Sequence, residues 1–258
     1  APPDLWITYH NYYKAPDLVG PKVAQELGIP YAIVEATRAK SRLNGPWEGF
    51  AQAAEAACDA ADLIFYFTEN DLIALSRDKV SGQQLVLLPP FLPLTELPNT
   101  PALPQKTRTI LSVGMMRAGS KFDSYQLIAA ALEHLIDQEW DLKIVGDGPM
   151  MGEVRALMHP FGRRVQFLGR LDTRALEEAY RNAGIFFWPG VNEAFGMVYL
   201  EAQAWALPVV AQDRPGLRDV LVPGRYPLPD KGAKALAHDL SRFLAAPALR
   251  AEQGAKAR

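Results

Sequence analysis

Two carboxylates, Glu193 and Glu201, are the side chains best placed to do chemistry, because they flank the start of a helix that follows a buried strand. The apolar run Ile185–Trp188 predicts the strand, and the pattern over Val198–Ala206 predicts the helix. Glu201 falls among apolar positions of that helix, so its carboxylate needs a hydrogen-bonding partner. Sugar hydroxyls are suitable partners, since they are donors at fixed spacing.

The loop before that helix combines the other carboxylate with free backbone donors. Glu193 stands at the mouth of the predicted site. The N–H groups near Phe195, Gly196 and Met197 belong to the helix start, where the helix dipole favours an anion. A plainer interpretation stays open, in which Glu193 is an ordinary carboxylate near a helix N-terminus and Glu201 has a local protein partner.

A second loop could bind an anion together with this helix start. It runs from Gly114 to Lys121 and follows the apolar run Thr109–Val113. Its first glycine permits close backbone approach, and Arg117 and Lys121 can pair with an anionic group. The alternative is that both cations are solvated surface side chains.

A third loop begins at Gly146, after the apolar run Leu142–Val145, and has the sequence Gly-Asp-Gly-Pro. These are turn residues, and a tight strand-to-helix turn explains them in full. The chain lacks the GxGxxG fingerprint, so a dinucleotide cofactor loses its main support.

These loops belong to a repeated alternation of short apolar runs and longer amphipathic ones. The apolar runs are mostly continuous, which is typical of strands buried on both faces of a parallel sheet. The predicted strands are Leu5–Tyr9, Tyr31–Glu35, Leu63–Phe67, Gln84–Leu88, Thr109–Val113, Leu142–Val145, Val165–Leu168, Ile185–Trp188 and Val209–Ala211. Helical patterns lie within residues 50–61, 125–136, 176–183, 198–206 and 236–244. The alternation predicts an α/β fold with doubly wound sheets, in which ligands bind beyond the carboxyl ends of the strands.

Proline density divides the chain. Six prolines fall between Pro89 and Gln105, so this stretch is neither helix nor inner strand, and we interpret it as a linker. This predicts a first domain over residues 1–90, a linker over 91–106, a second domain over 107–245 and a C-terminal tail over 246–258. The first domain begins abruptly on a strand, and we expect it to be incomplete.

Composition excludes several classes of protein. The 258 residues carry 27 basic and 29 acidic side chains, a formal net charge of −2, so a general nucleic-acid binder is not expected. Cys58 is the only cysteine, which excludes a disulfide framework within the chain and a cysteine-rich zinc site, and favours a reducing, cytoplasmic compartment. The four histidines lack metal-ligand spacing. No apolar run approaches the ~20 residues that span a bilayer.

The segment Asn192–Ala202 resembles the E-x7-E signature of glycosyltransferase family 4, whose members are retaining enzymes of the GT-B fold. The similarity extends through residues 145–149, 167–169 and 208–216, and covers residues 107–222. The resemblance implies two Rossmann-like domains with parallel sheets that face each other across a cleft. It implies that the second binds a nucleotide-sugar donor and that the first, acceptor-side domain is only partly present.

The resemblance also implies roles for individual residues. Glu201 matches the glutamate that contacts the donor ribose, and Glu193 matches the one beside the donor sugar at the reaction centre. The loop with Gly114, Arg117 and Lys121 corresponds to the diphosphate-binding loop. The other donor-binding positions that it implies are Gly146, Arg170, Leu171, Phe195, Gly196 and Met197, with Arg170 and Leu171 in the segment that holds the base.

The chain departs from the family pattern at several positions. Met115 holds the place of the usual arginine, so Arg117 is a substitute displaced by two residues. Ala206 replaces a common glycine, for which we expect a minor packing change. In the first domain, His10 is the best candidate for the histidine that faces the donor sugar, with Tyr9 as the alternative. An ordinary hydrogen-bonded histidine at a strand end stays open.

Taken together, these patterns predict a retaining, hexosyltransferase-type enzyme that moves a sugar from a nucleoside-diphosphate donor to an unknown hydroxyl acceptor. Glu193 and His10 are its predicted catalytic residues. We expect a nucleotide sugar as co-substrate, no separate cofactor, no metal and no nucleic-acid partner. Peripheral membrane association stays open. The alternatives are a sugar-nucleotide 2-epimerase of the same fold and a non-catalytic nucleotide-sugar-binding fragment.

Overall fold

Two parallel β-sheets form the framework of the chain. The computed structural model describes residues 3–93, 97–98, 108–194 and 196–258. The chain divides into two units, Ala1–Pro90 and Phe91–Arg258, called unit 1 and unit 2 below. The expected linker over residues 91–106 lies largely outside the described residues.

Unit 1 is built on a four-stranded parallel sheet with the order β1-β2-β3-β4. Its elements are β1 Trp6–Asn11, α1 Gly20–Leu27, β2 Tyr31–Ala36, α2 Glu48–Ala60, β3 Leu63–Tyr66, α3 Glu69–Arg77 and β4 Gln84–Leu87. Two of the helix ends follow local rules. Gly28 ends α1 with a left-handed φ of 64°, and the Thr68 hydroxyl accepts a hydrogen bond from the backbone of Asp71 at the start of α3.

Unit 2 is built on a five-stranded parallel sheet with the order β7-β6-β5-β8-β9. Its elements are β5 Thr109–Val113, α4 Ser120–Glu133, β6 Asp141–Val145, α5 Met151–Met158, β7 Val165–Gly169, α6 Thr173–Arg181, β8 Ile185–Phe187, α7 Met197–Ala204, β9 Val209–Val210, α8 Gly232–Ala245 and α9 Pro247–Ala257. The order reverses between β5 and β8, which makes the carboxyl end of this pair the topological switch point.

The strands of unit 2 are buried as their continuous apolar sequences require. All three residues of β8 are fully buried, and the core continues into α4, α7 and α8. Asp172 caps α6 by accepting a hydrogen bond from the backbone of Ala175 at 2.8 Å. Within the described ranges, no helix is long and apolar enough to cross a bilayer.

All nine predicted strands are present in the described residues, with ends that differ from the predicted ones by at most two residues. β1 is the largest departure, because it begins at Trp6 and continues to Asn11. The region of the expected C-terminal tail contains α9, which packs against α8 and α7.

The alanine at position 206 strains the backbone, whereas the sequence analysis expected a minor packing change. It adopts a φ of 55° in the turn between α7 and β9. Its carbonyl lies against Gly254 of α9, where a Cβ would collide with it. A left-handed alanine is strained because its Cβ approaches the following carbonyl oxygen.

Ala206→Gly is therefore expected to stabilise the protein by about 0.5–1 kcal/mol, because relief of the left-handed strain exceeds the entropy that glycine adds to the unfolded chain. Ala251→Gly, the same change at an exposed position of α9, is the matched control and should destabilise. Urea unfolding measures both. A loss of stability in Ala206→Gly would contradict the assignment of strain.

Candidate functional site

The predicted phosphate loop and the predicted catalytic loop meet at the switch point of unit 2. Lys121 lies in the first turn of α4, after β5, and Glu193 lies in the loop after β8. The Lys121 Nζ donates to Oε2 of Glu193 at 2.6 Å. The structure therefore brings together two residues that are 72 positions apart in the chain.

The Glu193 carboxylate is mostly buried and has two donors. Its side chain is 15% exposed, and that of Lys121 is 26% exposed. The indole N–H of Trp188 donates to the same Oε2 atom at 3.2 Å, and the Lys121 Nζ lies 5.5 Å from the centre of the Trp188 ring. A carboxylate removed from water needs such compensation.

The packing of Trp188 supports the pair of Lys121 and Glu193. It is fully buried and meets the ring of Tyr125 edge-on, with centroids 5.1 Å apart. Gly114 lies directly on the indole, where a Cβ would come within 2.6 Å of a ring carbon. The Tyr125 hydroxyl donates to the Gly114 carbonyl at 2.8 Å. Gly114 is thus required for the packing of Trp188.

The loops after β5 and β6 are joined by backbone hydrogen bonds. Gly114 N–H donates to Val145 O at 3.0 Å, and Met116 N–H donates to Asp147 O at 2.7 Å. Gly146 has a φ of 133°, and a Cβ there would collide with the Gly114 carbonyl. Gly114 and Gly146, both predicted to bind the donor, therefore fix the shape of the predicted phosphate loop.

The start of α7 is formed by backbone. Gly196 precedes the helix with a φ of 57°, and Met197 is the first helical residue. Among the described residues, no side chain caps this end. The Tyr199 N–H donates to Gly196 O at 3.0 Å, which leaves the N–H groups of Met197 and Val198 to meet a ligand. Phe195, also predicted to bind the donor, lies outside the described residues.

Glu201 lies on α7 and has a protein partner. The Tyr180 hydroxyl, from α6, donates to its Oε2 at 2.7 Å. Burial raises the pKa of Glu201, and the bond from Tyr180 opposes that shift. Burial and the nearby Glu201 charge raise the pKa of Tyr180 well above its usual value. The local-partner interpretation is therefore correct for one carboxylate oxygen.

The other predicted donor-binding side chains differ in their exposure. Arg117 and Arg170 are exposed, and within the described ranges neither side chain has an ion pair or hydrogen bond. Leu171 is half-buried and packs against the core of unit 2. The structure thus leaves two cations available to a ligand and engages Lys121 with Glu193.

In unit 1, His10 lies near the end of β1 and pairs with a carboxylate that the sequence analysis did not single out. The distance from His10 Nδ1 to Oε2 of Glu35 is 2.9 Å. The alternative candidate, Tyr9, is strongly exposed, and the nearby charge of Glu35 raises its pKa. Glu35 and Trp188 are each the last residue of a predicted strand. Ligands bind beyond this end of the strands, so this position could have identified both as site candidates.

Comparison with known proteins identifies the class. A family model described as Glycosyl transferases group 1 matches residues 107–246. Sucrose-phosphate synthase from Thermosynechococcus elongatus superposes with a TM-score of 0.74 at 24% identity, over 98% of this chain and 67% of that one. The pneumococcal O-GlcNAc transferase in complex with UDP and GlcNAc gives a TM-score of 0.71 at 18% identity, over 96% and 53%.

Sequence relatives agree with this assignment. A phosphatidyl-myo-inositol mannosyltransferase of Mycolicibacterium smegmatis is 29% identical over 161 residues, 60% of this chain and 41% of its own length. A D-inositol 3-phosphate glycosyltransferase of Xylanimonas cellulosilytica is 37% identical over 102 residues, 37% of this chain and 24% of its own length. The matched regions therefore take in less than half of these relatives.

The two parallel α/β sheets and the structural neighbours define the fold as that of GT-B glycosyltransferases. The family match covers more than half of the chain, and the chain belongs to the glycosyl transferases group 1 family.

Trp188→Phe tests the support of Glu193. The variant keeps an aromatic ring over Gly114 but leaves the buried carboxylate with one donor fewer, so the free energy of unfolding should fall by about 1–3 kcal/mol. Trp205→Phe is the control, since Trp205 is also buried in unit 2 and its indole N–H has no partner among the described residues. Equal losses in both variants, measured by urea unfolding, would show that only ring volume matters.

Glu201→Gln tests the cost of burying this carboxylate. Because its pKa is raised by folding, the ionised form destabilises the folded protein at neutral pH, and the cost disappears as pH falls through the folded-state pKa. Glutamine keeps an acceptor for Tyr180 without the charge. We expect a higher melting temperature than wild type at pH 8, and a difference that shrinks toward pH 5. Glu177→Gln, exposed on α6, should show neither effect.

Proposed function

We propose that the protein is a retaining glycosyltransferase that moves a sugar from a nucleoside-diphosphate donor to a hydroxyl acceptor. The observation that carries the proposal is the arrangement of Lys121 and Glu193 at the switch point, beside the uncapped start of α7. It combines a cation, a held carboxylate and free N–H groups where open parallel sheets bind ligands.

The diphosphate is the part of the donor that this site suits best. The Lys121 ammonium has three donors, so it can keep its bond to Glu193 and still meet a phosphate oxygen. The exposed Arg117 adds a second cation, and the first N–H groups of α7 add the positive end of a helix dipole. Together these groups would stabilise the leaving diphosphate. They would supply the positive charge that a Mg²⁺ ion would otherwise bring.

The two glutamates have separate roles in this proposal. Tyr180 holds one oxygen of Glu201, and the other oxygen would accept from the ribose hydroxyls of the donor. Glu193 would orient the donor sugar and offset the charge that develops in an oxocarbenium-like transition state. Its two donors fix its position before the ligand arrives, so little reorganisation is needed during the reaction.

The remaining parts of the proposal concern the other reactants. His10 would be a second catalytic residue, and the segment at Arg170 and Leu171 would hold the base. Attack by the acceptor hydroxyl on the face from which the diphosphate leaves would retain the anomeric configuration. Structural neighbours solved with UDP or UDP-2-fluoro glucose support a nucleotide-sugar donor. We further propose a cytoplasmic location, in keeping with the free, buried Cys58.

Calorimetric titration with UDP, GDP and ADP tests the donor site and identifies the base. Arg117→Ala and Lys121→Ala should each weaken binding of the preferred nucleotide roughly 10- to 100-fold, the effect of one charge-assisted contact. Lys234→Ala, an exposed cation on α8, is the control and should bind as wild type does. Unchanged affinity in both loop variants would contradict the phosphate site.

The reaction itself is followed by NMR of the anomeric proton, with the sugar nucleotide whose base binds. Transfer to an acceptor, or slow hydrolysis, with retained configuration supports the proposal, and Glu193→Gln should lower kcat strongly while nucleotide affinity changes little. An inverted product would contradict retention. Epimerised or hydrated sugar without transfer would identify a 2-epimerase instead.

A further inference from the structure

An unusual backbone geometry surrounds the pair of His10 and Glu35 in unit 1. Both residues have a φ of 64°, although both belong to β-strands and neither is glycine. They stand at the same level of adjacent parallel strands, between the register pairs Tyr9↔Val34 and Asn11↔Ala36. A left-handed conformation strains a non-glycine residue, and such residues persist where the surrounding structure holds them and cluster at functional sites.

The side chains of these two residues are in close contact. His10 Nδ1 lies 2.9 Å from Oε2 of Glu35, with side-chain exposures of 42% and 17%. The carboxylate is thus the better buried partner, and the imidazole is the group that reaches solvent. Within the described ranges, Nε2 of His10 has no hydrogen-bond partner.

The groups around the pair restrict it further. The charge of Glu35 raises the pKa of Tyr9. Asp71 is the other carboxyl that Glu35 influences; burial, with a smaller contribution from Glu35, raises its pKa, and the Thr68 hydroxyl donates to it at 2.7 Å. The ring of Tyr12 lies 4.7 Å from the imidazole and limits its rotation.

From this geometry, we propose that Glu35 is a positioning residue that holds His10 as the tautomer with a proton on Nδ1. Nε2 is then unprotonated and faces solvent, where it can accept a hydrogen bond from a hydroxyl group of the ligand. A carboxylate that accepts from one ring nitrogen fixes both the tautomer and the orientation of a histidine. The inference rests on the proposed function for the purpose of His10, whereas the tautomer itself is a property of the free protein.

The tautomer is measured directly by ¹⁵N NMR of the histidine-labelled 258-residue chain at pH 8.5, where an ordinary imidazole with a pKa of ~6.5 is neutral. The His10 signals are assigned by their loss in His10→Gln. We expect the Nδ1–H pattern in the wild type. In Glu35→Ala and Glu35→Gly, we expect the Nε2–H form that dominates in free histidine. Glycine suits a positive φ, so the second variant remains informative if the first folds poorly.

Kinetics provide the second readout. Removal of the carboxylate should lower kcat for donor turnover by about tenfold or more, the usual effect of losing a partner that orients a histidine, with little change in KM for the donor. Glu26→Gln, an exposed carboxyl on α1, is the control and should alter neither the tautomer nor kcat.

The inference is overturned if His10 is the Nε2–H tautomer in the wild type, or if both Glu35 variants keep the wild-type nitrogen pattern. Its failure is distinguishable from failure of the proposed function. A tautomer that depends on Glu35, in a chain that neither binds nucleotide nor turns over donor, would leave the positioning role standing and remove the glycosyltransferase assignment.

Discussion

The burial of the Glu193 carboxylate is the constraint on which the loops at the carboxyl edge of the unit 2 sheet depend. A buried charge needs partners, and this one has Lys121 and Trp188. The indole can reach Glu193 because it lies on Gly114, where any larger residue would meet the ring. Gly114 in turn leaves no room for a Cβ at Gly146. One carboxylate thereby fixes the contacts of three strand-to-helix loops.

Several features near the proposed ligand sites reduce stability. The ionised Glu201 is costly because it is buried, and His10, Glu35 and Asn192 are all left-handed. Strained backbone of this kind clusters at functional sites, where the surrounding structure holds it in place. Ala206 has the same strained backbone but lies in the turn before β9, and neither the sequence motifs nor the observed contacts assign it a role in ligand binding.

The sequence was sufficient to predict the sheets, because short continuous apolar runs such as Ile185–Trp188 are typical of strands that are buried on both faces. It also identified Lys121 and Glu193 separately, as residues that follow strands. It could not predict that they bond to each other, since the contact depends on the strand order β5-β8. Tyr180 and Glu35 were missed for the same reason: each is a partner only through tertiary packing.

The two units use the same physical device at the carboxyl ends of their strands. In unit 2, Glu193 accepts from Lys121 and Trp188 through one oxygen. In unit 1, Glu35 engages His10. A carboxylate has about four acceptor sites, so it can hold two donors rigidly, and in both pairs the charged or titratable donor keeps part of its surface exposed. Under the proposed function, such preorganised groups would stabilise developing charge without reorganising during the reaction, which would account for a largely buried acid at each site.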